Sequence, residues 1–186
     1  MNPLLIDIPT QFETQRLLIR VPRPGDGRAV YEAYAASVAE LKAWLPFAQT
    51  EQTEETIEAN LRLASSKFIL REDMRLLIFD KSSGSFIGSS GLHNPNWSVR
   101  KFEIGYWIDT RQSGKGYMTE AVEGITAFAF TELLARRVEI RCDALNEKSQ
   151  AIPMRLGYWH EGTLRNDDLS ADGSTLRDTY IFAMIP

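Results

Sequence analysis

The 186 residues, 44% hydrophobic and 25% charged with no low-complexity tract, suit a single ordered domain large enough to bury its apolar surface without metal or disulfide staples. One cysteine, Cys142, excludes an internal disulfide and a multi-cysteine metal site and fits a reducing cytoplasm, while a net charge of −4 argues against nucleic acid and accommodates a cationic acceptor such as an amine. No apolar run approaches the roughly 20 residues of a membrane helix, and the opening Met1-Asn2-Pro3-Leu4-Leu5-Ile6-Asp7 has neither the basic region nor the cleavage site of a signal peptide.

Residues 1–13 are expected to be an extension ahead of the domain. Leu17, Ile19 and Val21 alternate with Arg16, Leu18 and Arg20 as a first strand, which Pro22 and Pro24 end. Asp26 is placed to cap a helix with the apolar face Val30, Tyr31, Tyr34, Ala35, Val38 and Leu41. Trp44-Leu45-Pro46-Phe47 interrupts that pattern, and Thr53, followed three residues later by Thr56, opens a second helix reaching Arg71. Leu76, Ile78 and Phe79 form a strand, Lys81-Ser82-Ser83-Gly84 a turn, and Phe86-Ile87-Gly88 the return of a hairpin. Asn94-Pro95-Asn96-Trp97 reads as loop. It leads to a central strand marked by Phe102, Ile104, Tyr106 and Ile108, then to Arg111-Gln112-Ser113-Gly114-Lys115-Gly116, and then to Met118, Ala121, Val122, Ile125, Phe128 and Ala129 at helical spacing. Val138, Ile140 and Cys142 form the next strand, parallel to the central one because a helix crosses between them. A short helix from Ser149 to Arg155, disturbed by Pro153, and a closing antiparallel pair, Trp159 to Leu164 with Thr175 to Met184, complete a mixed, mostly antiparallel sheet with helices on its faces.

A strand feeding a glycine loop that opens a helix aims backbone N–H groups at phosphate, because the first helical amides have no intrahelical partner and the helix dipole favours negative charge there. Gly114 and Gly116 allow positive φ and close approach of a ligand. The triphosphate pattern G-x-x-x-x-G-K-[ST] fails, since Asp109 stands at its first glycine and Gly116 at its hydroxyl; the dinucleotide pattern fails at Tyr117-Met118-Thr119. What remains is (Q/R)-x-x-G-x-(G/A), with Arg111, Gly114 and Gly116 in place. Here the chain resembles the GNAT acyltransferases. Glu103-Ile104-Gly105-Tyr106-Trp107, Gly116-Tyr117-Met118-Thr119-Glu120-Ala121, Asn146-Glu147-Lys148-Ser149, Leu156-Gly157-Tyr158 and Glu161-Gly162-Thr163-Leu164-Arg165 are similar to the RimJ/RimL-type branch, over nearly the whole length from Thr14 to Met184.

The resemblance implies a twisted sheet of six to seven strands whose central parallel pair splays apart, and acetyl transfer from acetyl-CoA to a primary amine by direct attack in a ternary complex. It implies a pyrophosphate site at Arg111, Gln112, Ser113, Gly114, Lys115, Gly116, Tyr117 and Met118, and a pantetheine arm paired with the main chain of Tyr106, Trp107 and Ile108. Lys115 either touches phosphate or is solvated; Asn146, beside Lys148, bonds the pantetheine or holds the strand-to-helix turn. Many family members release the thiolate through a Tyr seven residues after the Asn, where this chain has Pro153; the RimJ/RimL branch presents Ser149 instead, and a Ser there is also a candidate N-cap. For the base, Glu103, flanked by apolar residues, is the first choice and His93 the other, unless water suffices. Trp44, His93 and Trp97 are the acceptor-side candidates, though the aromatic loops 44–47 and 94–97 equally suit a dimer surface, so monomer and homodimer both stay open. The acceptor is expected to be a protein N-terminal amine of ribosomal type, with a small amine or polyamine, or a non-catalytic acyl-CoA-binding module, as the alternatives.

Overall fold

The structure, a computed structural model, describes residues 2–186. In chain order the elements are β1 (Gln11–Glu13), β2 (Leu17–Arg20), α1 (Gly27–Leu41), α2 (Glu54–Leu70), β3 (Met74–Asp80), β4 (Phe86–Asn96), β5 (Lys101–Ile108), α3 (Tyr117–Thr131), β6 (Arg137–Asp143), α4 (Glu147–Arg155), β7 (Trp159–Leu169) and β8 (Leu176–Met184). They build one eight-stranded sheet in the order β1-β2-β3-β4-β5-β6-β8-β7. Every neighbouring pair is antiparallel except β5–β6, which the α3 crossover makes parallel.

Because side chains alternate across a strand, the central strands feed two cores. Leu76, Ile78, Leu92, Phe102 and Ile104 face α3, where Ala121, Val122, Ile125 and Ala129 are buried at helical spacing. Leu77, Phe79 and Phe86 face α1 and α2 and meet Val30, Tyr34, Ile57 and Leu61. Phe102 is fully buried, so its removal from water contributes about 1.5–3 kcal/mol.

Several details depart from the sequence expectations. The sheet begins inside the expected extension, because Gln11–Glu13 pairs with β2. Asp26 does not cap α1: its carboxylate takes both Nη atoms of Arg20, at 2.7 and 2.6 Å. The first amide of α1 goes instead to Glu58 of α2, whose Oε2 accepts from Gly27 N at 2.9 Å. Ala35 is exposed, and the buried stripe runs through Ala33, Tyr34 and Ser37. Residues 94–96 are not loop but the end of β4, bent by an irregularity between His93 and Asn96, with Asn94 left-handed at φ 47. Thr53 does cap α2, reciprocally with Thr56.

Candidate active site

β5 and β6 stay together for only three residue pairs, Lys101–Arg137, Phe102–Val138 and Glu103–Glu139. Beyond Glu103, β5 continues along β4 as far as Ile108, and β6 continues along β8 as far as Asp143. Their facing edges therefore separate, and main-chain groups freed inside a protein need another partner. The space between them opens into a cavity of about 1500 Å³, lined by Ile104 to Ile108 on one side and Arg141, Cys142 and Asp143 on the other.

At its far end lies the glycine loop. Gly114 and Gly116 both take positive φ, 76 and 79, and Gly116 is the left-handed residue immediately before α3. Ser113 N–H donates to Thr110 O and Glu120 N–H to Gly116 O, and no amide between them finds a protein acceptor among the described residues. The loop is exposed at Ser113 to Gly116. A Cβ on Gly114 would meet nothing within 4 Å, so it would point into open space. Unpartnered donors at a helix N-terminus are the arrangement that suits an anion.

The loop side chains do something else. Arg111 is clamped to the buried Asp109, with Nη2 to Oδ2 at 2.6 Å and Nε to Oδ1 at 2.9 Å. Lys115 Nζ donates to Gln112 Oε1 at 2.8 Å. Arg111, Gln112 and Lys115 are absent from the cavity wall, whereas Ser113, Gly114, Gly116, Tyr117 and Met118 line it. Two anchors hold the loop. Thr110 N–H donates to the buried Ser37 hydroxyl of α1. Glu120 on α3 accepts from Thr14 Oγ1 (2.6 Å), Arg16 N (2.7 Å) and Arg16 Nε (2.6 Å), and Arg16 Nη1 then reaches Lys115 O. Burial alone pushes the Glu120 carboxyl up, but the Thr14 and Arg16 bonds outweigh it and hold the group below the usual carboxylate range. Asp109, Ser37 and Arg16 carried no sequence signal, since each is recognised only by what it touches.

Asn146, Lys148 and Ser149 line the cavity from the start of α4. Asn146, not Ser149, is the N-cap: its Oδ1 accepts from Ser149 N at 3.0 Å, so the turn-holding role is the one its side chain fills. Pro153 explains the next contact. It has no N–H to give the carbonyl four residues back, which is Ser149 O. That carbonyl accepts the Tyr106 hydroxyl instead, at 2.8 Å, and Ser149 Oγ donates to Tyr106 Oη at 3.3 Å. Burial raises the Tyr106 phenol, so it stays protonated. Burial likewise pushes the Cys142 thiol up to about 11, which keeps it neutral and a poor nucleophile.

On the opposite face of the sheet is a second cavity of about 520 Å³, between α1, α2 and β3–β5, which contains His93, Phe47 and the Trp107 side. Both cavities include Gly105, Tyr106, Trp107 and Leu45 in their walls. Of the acceptor-side candidates, His93 lines this second space, and Trp44 lines the first. Trp97 lines neither; it packs edge-on against Phe102 at 5.1 Å and donates Nε1–H to Arg71 O, which are structural contacts. Glu103 also lies outside both walls, its Oε2 accepting from Asn94 Nδ2 at 3.0 Å.

Known proteins are similar to this chain in sequence and in fold. The chain is 35% identical over 163 residues to the "Putative ribosomal N-acetyltransferase YdaF" of Bacillus subtilis (strain 168), covering 86% of each chain. It is 25% identical to the ribosomal-protein-serine acetyltransferase of Escherichia coli (strain K12), over 76% of this chain and 75% of that one. Among solved structures, RimL, a ribosomal L7/L12 alpha-N-protein acetyltransferase in complex with coenzyme A, superposes with a TM-score of 0.85 at 20% identity, covering 96% of this chain and 97% of that one. The microcin C7 self immunity acetyltransferase MccE, in complex with acetyl-CoA and AMP, has the same fold at a TM-score of 0.85 and 17% identity, with 93% and 94% covered. The acetyltransferase (GNAT) domain matches residues 16–158, and the chain belongs to that family of acyltransferases.

Proposed function

We propose that the protein transfers an acetyl group from acetyl-CoA to the α-amino group of a protein N-terminus, by direct attack in a ternary complex. The observation that carries this is the pair of cavities meeting through Gly105, Tyr106 and Trp107. A thioester on the α3 side and an amine on the α2 side then approach each other across one strand, as direct attack requires. The diphosphate sits on the amides between Gly114 and Met118, and the pantetheine arm pairs with the freed edge of β5. Amides of that edge polarise the thioester carbonyl where charge develops.

Ser149 is the donor to the departing sulfur, fixed by the bonds that Asn146 and Tyr106 make to its main chain and hydroxyl. The neutral Cys142 thiol beside it supports direct transfer over an acyl-enzyme. Open space on the α2 side favours turnover over a purely binding role. The relatives named for ribosomal proteins favour a peptide amine as acceptor. Free-thiol release from acetyl-CoA, followed against peptides beginning with Ser or Ala and against polyamines, tests the reading: the peptides are expected to be turned over. Turnover confined to polyamines would replace the acceptor class, and none with any amine would leave only a binding module.

A further inference from the structure

The second cavity holds a pair of side chains that acetyl-CoA binding does not use. His93 Nδ1 lies 2.7 Å from Asp73 Oδ2. Asp73 stands just before β3, and His93 is on β4 immediately before the strand is bent. Both are about a quarter exposed, at 25% and 27% of the side chain, so they are held yet reachable. Burial pushes the Asp73 carboxyl up, but the His93 bond and charge, helped by Arg75 and Lys67, bring it below the usual carboxylate range. When the imidazole is neutral, donation of Nδ1–H to an ionised Asp73 is the tautomer that leaves the lone pair on Nε2.

Two glycines decide where Nε2 points. Gly91 and Gly105 are directly paired across β4 and β5. A Cβ on Gly91 would come within 3.0 Å of His93 Cε1, and one on Gly105 would sit 3.4 Å from Cδ2 and 3.7 Å from Nε2. The imidazole therefore lies over a floor without side chains, its free nitrogen above Gly105. That residue borders both cavities, at the point where β5 has left β6.

We propose that His93, oriented by Asp73, is the base that deprotonates the acceptor amine, an inference resting on the acetyl-transfer reading. A terminal ammonium must shed two protons. One leaves through Nε2 to solvent. As the nitrogen pair forms the C–N bond, the C–S pair passes to sulfur, which takes the Ser149 hydroxyl proton, and the second nitrogen proton restores that hydroxyl. The charged groups around His93 are Asp73 and Arg75 from the β3 side, Lys67 from α2 on the same wall, and Glu103, its register partner on β5, whose carboxylate is turned to Asn94.

The test uses the full chain with acetyl-CoA and whichever Ser- or Ala-initial peptide it turns over. His93→Gln is expected to lower kcat/KM on the order of 100-fold near neutral pH, with the deficit shrinking as pH rises and the amine loses its proton unaided. Asp73→Asn, the positioning variant, is expected to lower kcat on the order of tenfold with KM within about twofold, and Asp73→Glu to recover part of it. Calorimetric acetyl-CoA binding, on the opposite face, reports that each variant is folded; if His93→Gln fails that check, the Asp73 pair decides alone. Folded His93→Gln with undiminished kcat/KM, a deficit that does not shrink with pH, or a loss in Glu103→Gln where His93→Gln has none, overturns the proposal while acetyl transfer stands. Wild-type protein silent with every amine overturns the acetyl-transfer reading first and this one with it.

Discussion

On the α3 side of β5 the contacts offered to a ligand are main-chain. The amides between Gly114 and Met118 and the freed edge beyond Glu103 present donors, while Arg111, Gln112 and Lys115 are occupied with protein partners. On the α2 side the polar groups are side chains brought together from separate strands, Asp73 ahead of β3 and His93 from β4. A backbone site depends on φ, on helix ends and on where strands part, so it tolerates side-chain change except at its glycines. A side-chain site depends on each group being the one it is. Substitutions at the glycines of the loop should therefore fail through binding, and those at side chains placed by several elements, on either side, through turnover.

The largest effect is expected at Gly114→Val. Its φ of 76 is strained for a β-branched residue, costing on the order of 1–3 kcal/mol, and its Cβ enters the cradle. Titration calorimetry should show acetyl-CoA affinity falling at least about 100-fold, equal to some 2.7 kcal/mol, with a smaller fall in Tm. Ser149→Ala comes next. Thiol release should slow on the order of 100-fold while acetyl-CoA affinity is kept. If both variants alter only Tm, the α3-side cavity is not the acetyl-CoA site.

Tyr106→Phe sharpens the comparison, because it removes a side chain from the main-chain side. The Ser149 carbonyl that Pro153 leaves free loses the Tyr106 donor, costing about 1–3 kcal/mol in thermal or denaturant unfolding. Turnover should fall on the order of tenfold with acetyl-CoA affinity kept. Pro153→Ala offers that carbonyl a helical N–H in competition with the phenol. It should lower turnover less than Tyr106→Phe does.

The smallest effect belongs to Glu120, which ties α3 to the turn at Thr14 and Arg16. Its folded-state pKa is depressed, so its contribution is complete above the ordinary Glu range and is lost as pH falls through the lower folded value. Glu120→Gln should be less stable by about 0.5–1.5 kcal/mol at neutral pH. In melting scans down to about pH 3 that gap should narrow with acidity.

The main-chain half was legible before any coordinates. Period-two apolar residues at Phe102, Ile104, Tyr106 and Ile108, two glycines, and a helical stripe from Met118 describe a strand, a positive-φ loop and a helix, because backbone conformation leaves local patterns. Pro153 was legible as a lost helical bond, though the Tyr106 hydroxyl that uses the freed carbonyl was not. Asp26 illustrates the limit: a sound capping residue by position, it was drawn off by Arg20, and Glu58 from another helix took over. Glu103 has the strand and apolar neighbours expected of it, yet Asn94 at the bent end of β4 holds its carboxylate. Asp73 and His93 are 20 residues apart and become a pair only because β3 and β4 fold back on each other. Nothing in local spacing announces that.

The most direct measurement is calorimetric titration of the wild-type protein with acetyl-CoA beside Gly114→Val. Saturable heat in the range of about 1 μM to 1 mM for the wild type, lost in the variant, is what a cradle of main-chain amides beside the β5–β6 gap predicts. No heat with the wild type at about millimolar acetyl-CoA, or equal affinity in the two proteins, would contradict it.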